Sequence, residues 1–265
     1  MTSHVDRIRP LDGLCRVADR PPSMRCRWFT AAILVVAAPF ARPAPLSGSS
    51  LPPMMLWAWE RPVDLRDLDV VHVGVAFLAA TVHVDAGEGE VIVVHRHQPL
   101  LVPPGTARVA VARIETGRGP LPGPEQAERV AAVLAELGDL SDVRGVQIDF
   151  DARGSERAFM RDVLDRLRRR RPLAWISMTA LVSWCLGDPW IADLPVDEIV
   201  PMVFRMGPEG DVVRRQLAAG GDFQLARCRD AIGVSTDEPL PRMPGRRRRY
   251  VFDGDQGKTG RRWQP

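Results

Sequence analysis

The sequence predicts an α/β fold, a single (β/α)8 TIM-barrel-like domain that is trimmed or partly open in places. Two observations predict it. Apolar runs bounded by turn residues recur from about residue 46 onward, several separated by stretches of helical periodicity, as in βα units around a parallel sheet. About 220 residues follow an N-terminal leader, room for one well-buried domain and within the range of roughly 200–250 residues typical of such barrels.

Eight runs qualify as strands: 55–59, 71–79, 108–114, 145–151, 173–182, 198–205, 231–236 and 249–253. Helices are expected over 124–137, opened by Pro124-Glu125 and stopped by Gly138, over 155–170, and over 209–219, stopped by Gly220-Gly221. Residues 81–105 alternate like a β-hairpin around Asp85-Ala-Gly-Glu-Gly89, where a helix would otherwise join strands two and three. After the eighth strand, Asp253–Gly260 offers no apolar face for a closing helix. The rival architecture is an open doubly wound sheet.

Residues 1–45 read as a leader. The apolar stretch 28–40 is too short to span a bilayer, which takes about 20 residues, but has the length of a signal h-region. Arg25 and Arg27 precede it, and Ala41-Arg42-Pro43-Ala44 follows. The long segment ahead of this run makes Met24 the expected start of translation. Residues 42–53 read as a tether, and 46–265 as the barrel domain. The protein is therefore expected to be exported, periplasmic or extracellular, touching the membrane only through the signal segment if that is not cleaved.

The formal charge is +3, but residues 1–45 hold seven Arg against three Asp, so the remainder carries 29 basic and 30 acidic residues. That balance gives no nucleic-acid footprint. The basic runs at 166–171 and 246–249 read as solvated faces, the first closing a helix where cations complement the dipole.

The sharpest chemical signal is Gly145-Val-Gln-Ile-Asp-Phe-Asp151, because a strand's period of two puts Gln147, Asp149 and Asp151 on one face. Carboxylates facing a barrel interior are expensive unless they lie at the open C-terminal rim. Two of them side by side let one act as an acid while the other tunes it. Asp151, the outer of the two, is expected to be the acid. Other polar or aromatic residues stand where apolar strands end, which in a parallel barrel is one rim: Glu60, Glu115, Trp184, Arg205 and Asp237-Glu238. Trp59 and Trp184 would supply platforms for sugar rings. Arg205 would bind a carboxylate or hold an aspartate ionised. Glu60, Glu115 or Glu238 would supply a second carboxylate as base or nucleophile.

Gly145–Asp151 resembles the fourth-strand signature of chitinase-like family 18 glycoside hydrolases, Asp-Gly-x-Asp-x-Asp-x-Glu. Gly145 matches its glycine and Asp149 its last aspartate, while Arg144 and Gln147 replace the earlier two and Asp151 replaces the acid glutamate. Over nearly all of 46–265 the chain also resembles the bacterial family termed domain of unknown function 3142. That resemblance is carried by Trp57–Pro62, Val73–Leu78, Gly145–Ala152, Thr179–Asp188, Pro201–Gly207 and Ser235–Glu238. It implies a barrel and no particular activity.

His72, His83, His95 and His97 read as solvated side chains rather than metal ligands, and no cofactor motif is present. Cys185 and Cys228 would meet an oxidising compartment that permits a bridge. Their positions, one after the fifth strand and one before the seventh, place them at opposite barrel ends and argue against it. The expected function is that of a glycan-acting enzyme using rim carboxylates. The alternative is a non-catalytic protein binding a carbohydrate or cell-envelope glycan on a degenerate barrel.

Overall fold

A computed structural model describes residues 51–207, 210–239 and 245–254. The leader with its signal segment, Met24, the start of the tether and the chain beyond residue 254 lie outside the described residues. Among the described residues, no helix is long and apolar enough to cross a membrane.

The described residues form eleven strands: β1 Met54–Ala58, β2 Val63–Asp64, β3 Val73–Asp85, β4 Glu90–His95, β5 Leu100–Leu101, β6 Arg108–Thr116, β7 Val143–Asp149, β8 Trp175–Leu181, β9 Glu198–Met202, β10 Ala231–Ser235 and β11 Arg248–Phe252. Eight of them run parallel in the cyclic order β1, β3, β6, β7, β8, β9, β10, β11, and β1 pairs with both β3 and β11. The sheet is therefore a closed barrel, which excludes the doubly wound alternative. α1 (Pro124–Gly138), α2 (Arg157–Arg170), α3 (Val182–Leu186) and α4 (Gly210–Ala218) cover the four connections from β6 to β10.

The helix expected to be missing after the second barrel strand is replaced as the sequence implies. β3 runs on past its partner β1 and folds back antiparallel on β4, from Ala80 opposite His95 to Asp85 opposite Glu90. The fourth barrel strand ends at Asp149, two residues earlier than expected. The fifth ends at Leu181 and turns at once into α3, a helix the sequence reading had not anticipated.

Alternation along the strands builds two apolar layers. The barrel interior holds Met55, Trp57, Val109, Trp175, Val200 and Tyr250. The outer layer, between strands and helices, is built on Ile148, Ile176, Met178, Leu134 and Leu164. Full burial of each such large side chain contributes roughly 1.5–3 kcal/mol. Two interior glycines make room for the tryptophans. A Cβ on Gly145 would lie 2.6 Å from the Trp175 ring, and one on Gly233 would lie 2.7 Å from the Trp57 ring.

The interior also carries a polar ladder. Trp57 Nε1 donates to Gln147 Oε1 at 2.8 Å, Gln147 Nε2 donates to Ser177 Oγ at 3.2 Å, and Ser177 Oγ to Glu198 Oε2 at 3.3 Å. Tyr250 donates to the same carboxylate at 2.7 Å, and Arg248 closes the N-terminal end as its ion pair. Every member has a partner, as buried polar groups require.

The structure overturns the expectation against a disulfide. Cys185 and Cys228 are bridged, with Cα atoms 5.9 Å apart. Both cysteines lie off the strands, so the strand ends do not fix their height along the barrel. Cys185 sits on the outer face of α3, and the segment before β10 climbs to meet it, with the N–H groups of Gln224 and Leu225 donating to the Cys185 carbonyl.

Candidate functional site

The C-terminal ends of the barrel strands surround a cleft of about 670 Å³. Its aromatic walls are Trp57 and Trp59 from the end of β1, Phe204 from beyond β9, and Phe252 from the end of β11. Phe204 and Phe252 stack at 5.8 Å, Trp59 meets Phe252 edge-on at 6.4 Å, and Trp57 lies 6.1 Å from Phe204. Trp59 is fixed from the side: Arg96, at the end of the hairpin that replaces a helix, donates to the main-chain carbonyls of Trp59 and Arg61. The hairpin thus buttresses the site.

The acidic edge comes from β6, β7 and β8. Parallel register sets Arg113 beside Asp149. Asp149 Oδ1 accepts a hydrogen bond from the Thr179 hydroxyl at 2.8 Å. Beyond it Phe150 turns outward to pack edge-on against Phe159, 6.3 Å away, and Asp151 faces the cleft from the loop. Burial raises the Asp149 carboxyl above its ordinary pKa. The Thr179 hydroxyl and Arg113 oppose that rise, and the negative charges of Asp151 and Glu115 add to it. Asp151 reaches solvent, yet the protein around it desolvates the carboxyl enough to raise it too, against the pull of Arg113.

Of the residues expected at the rim, Trp59, Asp149, Asp151 and Arg205 line this cleft. Gln147 lies beneath its floor as the acceptor for Trp57. Glu238 stands behind Arg205, accepting its backbone N–H at 2.7 Å and a hydrogen bond from Arg214 at 3.0 Å. Three others are elsewhere. Trp184 is only 3% exposed and packs edge-on against Trp190 at 5.0 Å, in the outer layer. The helical period of α3 turns Ser183 and Leu186 to the cleft and Trp184 away from it. Glu115 is engaged by Arg113 at 2.8 Å and His83 at 3.3 Å. Glu60 lines a separate small hollow of about 160 Å³ with His95, Arg96 and His97.

The sequence reading missed Arg113, Thr179, Asp188, Phe204 and Phe252 as cleft residues. Arg113 had a usable signal, a cation interrupting an apolar strand at the parity of the interior face. Asp188 had none, since its place depends on α3. Among the described residues, no group of three or more His, Cys, Asp or Glu side chains could hold a metal ion.

The particular arrangement is that of a barrel protein with an aromatic cleft and two adjacent carboxyls whose pKa values burial raises. Compared with protein-family models the chain matches none, and no curated protein matches it significantly. The resemblances to chitinase-like hydrolases and to domain of unknown function 3142 therefore rest on the residues that carry them.

Proposed function

We propose that this chain is an exported, glycan-acting protein of the glycoside-hydrolase kind, with Asp151 as the acid and Asp149 as the group that orients and tunes it. The observation that carries the reading is the meeting of Asp149 and Asp151, both raised by burial from the ordinary aspartate value, with four aromatic side chains in one cleft. Aromatic faces suit the apolar faces of sugar rings, and a protonated carboxyl can donate to the glycosidic oxygen as the bond to the anomeric carbon breaks. Glu60 and Glu115 do not line the cleft, and Glu238 is occupied behind Arg205, so none is placed as a separate base. Substrate assistance, in which a neighbouring acyl group of the sugar replaces the protein nucleophile, needs only an acid and one orienting carboxylate. The signal-like leader and the Cys185–Cys228 bridge support export to the periplasm or beyond, where a cell-envelope glycan is the natural partner.

A second reading, glycan binding without catalysis, is favoured by one observation. Asp188, the third carboxylate of the cleft, is committed to Arg157, whose guanidinium donates to it through two nitrogens. A panel of polysaccharides and N-acetylated oligosaccharides separates the readings. Release of reducing ends, abolished in Asp151→Asn, supports hydrolysis. Binding with no turnover in the wild type supports the second reading, and neither binding nor turnover across the panel defeats both.

A further inference from the structure

We propose that the glycan taken by this cleft carries a carboxylate, and that the Arg205 guanidinium, laid over the Phe252 ring, receives it. The inference rests on the glycan reading and narrows its substrate class. The cleft is chemically two-sided. Arg113, Asp149, Asp151 and Thr179 come from β6, β7 and β8 and the turn after β7, whereas Phe204, Arg205 and Phe252 come from the ends of β9 and β11. A bound anion on the second side is kept apart from the acid pair on the first.

Arg205 is built for presentation. Its guanidinium carbon lies 5.0 Å from the Phe252 ring centroid, and 61% of the side chain is exposed. Its one ion pair among the described residues is a loose, exposed one with Asp237 at 3.9 Å, too long for a hydrogen bond, and Asp237 itself accepts from the Ser235 hydroxyl. Arg113, the other cation of the cleft, already spends its Nε on Glu115. The planar fork of Arg205 is thus open to a carboxylate, which it matches in a bidentate manner.

The backbone beneath it is fixed as well. Arg205 has φ of +50°, a left-handed conformation that glycine or asparagine adopts more readily. Glu238, itself held by Arg214, takes the Arg205 N–H and anchors that conformation. The cation is therefore presented from a pinned turn rather than from a swinging loop.

The test is calorimetric binding of trigalacturonate, a hyaluronan tetrasaccharide and a muramic-acid disaccharide, each beside its methyl ester, which keeps the sugar and removes the charge. At least one acid should bind about tenfold or more tighter than its ester, the scale of a charge-assisted hydrogen bond. Arg205→Asn, which suits the left-handed backbone, should abolish the advantage of the acid over its ester. Arg205→Lys keeps the charge without the fork and should fall between, providing a second reading if the asparagine variant does not fold. Esters bound as tightly as their acids would overturn the inference and leave the glycan reading standing. Phenylacetate bound through Arg205, with no sugar of either form bound, would instead overturn the glycan reading beneath it.

Discussion

The Thr179 hydroxyl lies 2.8 Å from Asp149 Oδ1, a hydrogen bond from β8 to β7 in the lining of the cleft. It is the only hydrogen bond to that carboxyl among the described side chains, and it does not offset the burial that raises the Asp149 pKa. A raised native pKa means that the folded state binds the proton more tightly than the unfolded chain. Stability from this group is then full below the unfolded value of about 3.9 and is lost as pH rises through the native pKa. Asp149→Asn keeps an acceptor for Thr179 and removes the titration. Urea unfolding followed from pH 4 to pH 7 should therefore show the wild type losing stability relative to the variant. A difference independent of pH, or one that grows in favour of the wild type, would contradict the assignment.

Trp57, in the cleft wall, has a buried acceptor for its indole N–H in Gln147, 2.8 Å away. Replacing Gln147 by Leu keeps much of the volume and leaves the indole donor and the Ser177 hydroxyl without that partner. The expected cost is about 1–3 kcal/mol, the penalty for one buried unsatisfied polar group. Ligand affinity should fall as well, since Trp57 loses its fixed orientation. Chemical denaturation together with tryptophan fluorescence measures both, and an unchanged midpoint would show that the ladder is dispensable.

The disulfide between Cys185 and Cys228 closes a loop with a sequence separation of 43. By the chain-entropy account, removing it should cost about 4 kcal/mol, less if the reduced chain keeps residual structure. Cys185 and Cys228 are both buried, so reductant should act slowly on the native protein and quickly on the partly unfolded one. The double Cys→Ser variant, compared with wild type in urea with and without dithiothreitol, checks this. Equal midpoints in all arms would mean that the bridge contributes nothing.

The barrel was legible because each interior strand is a short apolar run of its own and the helical stretches between β6 and β8 are strongly amphipathic. The hairpin at 81–105 was legible for the same reason, its period of two and its glycine turn both being local. Gln147 and Asp149 could be assigned to one face from strand parity alone. Asp151 lies past the strand end, so its place in the cleft depends on Phe150 anchoring outward against α2, a tertiary contact with no local signature. Trp184 was misplaced because a strand assumed to run to residue 182 hid α3, and one turn of helix reverses which side chains face the rim. The disulfide was obscured for another reason: Cys228 was assigned to the end of the barrel where the next strand begins, whereas the segment before β10 reaches Cys185. Strand ends define the rim, whereas the returning connections travel the whole height of the barrel.

Arg113 stands beside both members of the acid pair and lowers the pKa of each, against the burial that raises them. Its Nε is engaged by Glu115, and in register it lies beside Asp149 on the neighbouring strand. Arg113→Gln removes the cation and leaves a polar side chain of similar reach, so both carboxyls should titrate at higher pH than in the wild type. If Asp151 works as a general acid, activity persists only while it holds its proton and falls as pH rises through its pKa. The alkaline limb of the kcat/KM profile should then move upward in Arg113→Gln, while the neutral substitution Asp151→Asn abolishes the profile with a loss of about 10²–10⁴ or more. The titration can also be read without a substrate, from the side-chain carboxyl carbons of Asp149 and Asp151 by NMR. Two coupled groups give macroscopic steps that belong to the pair, so the comparison is between whole curves for wild type, Asp149→Asn and Arg113→Gln. A curve that Arg113→Gln leaves in place, or moves downward, would show that the guanidinium does not hold the pair in check, and the proton would have to be assigned to another group.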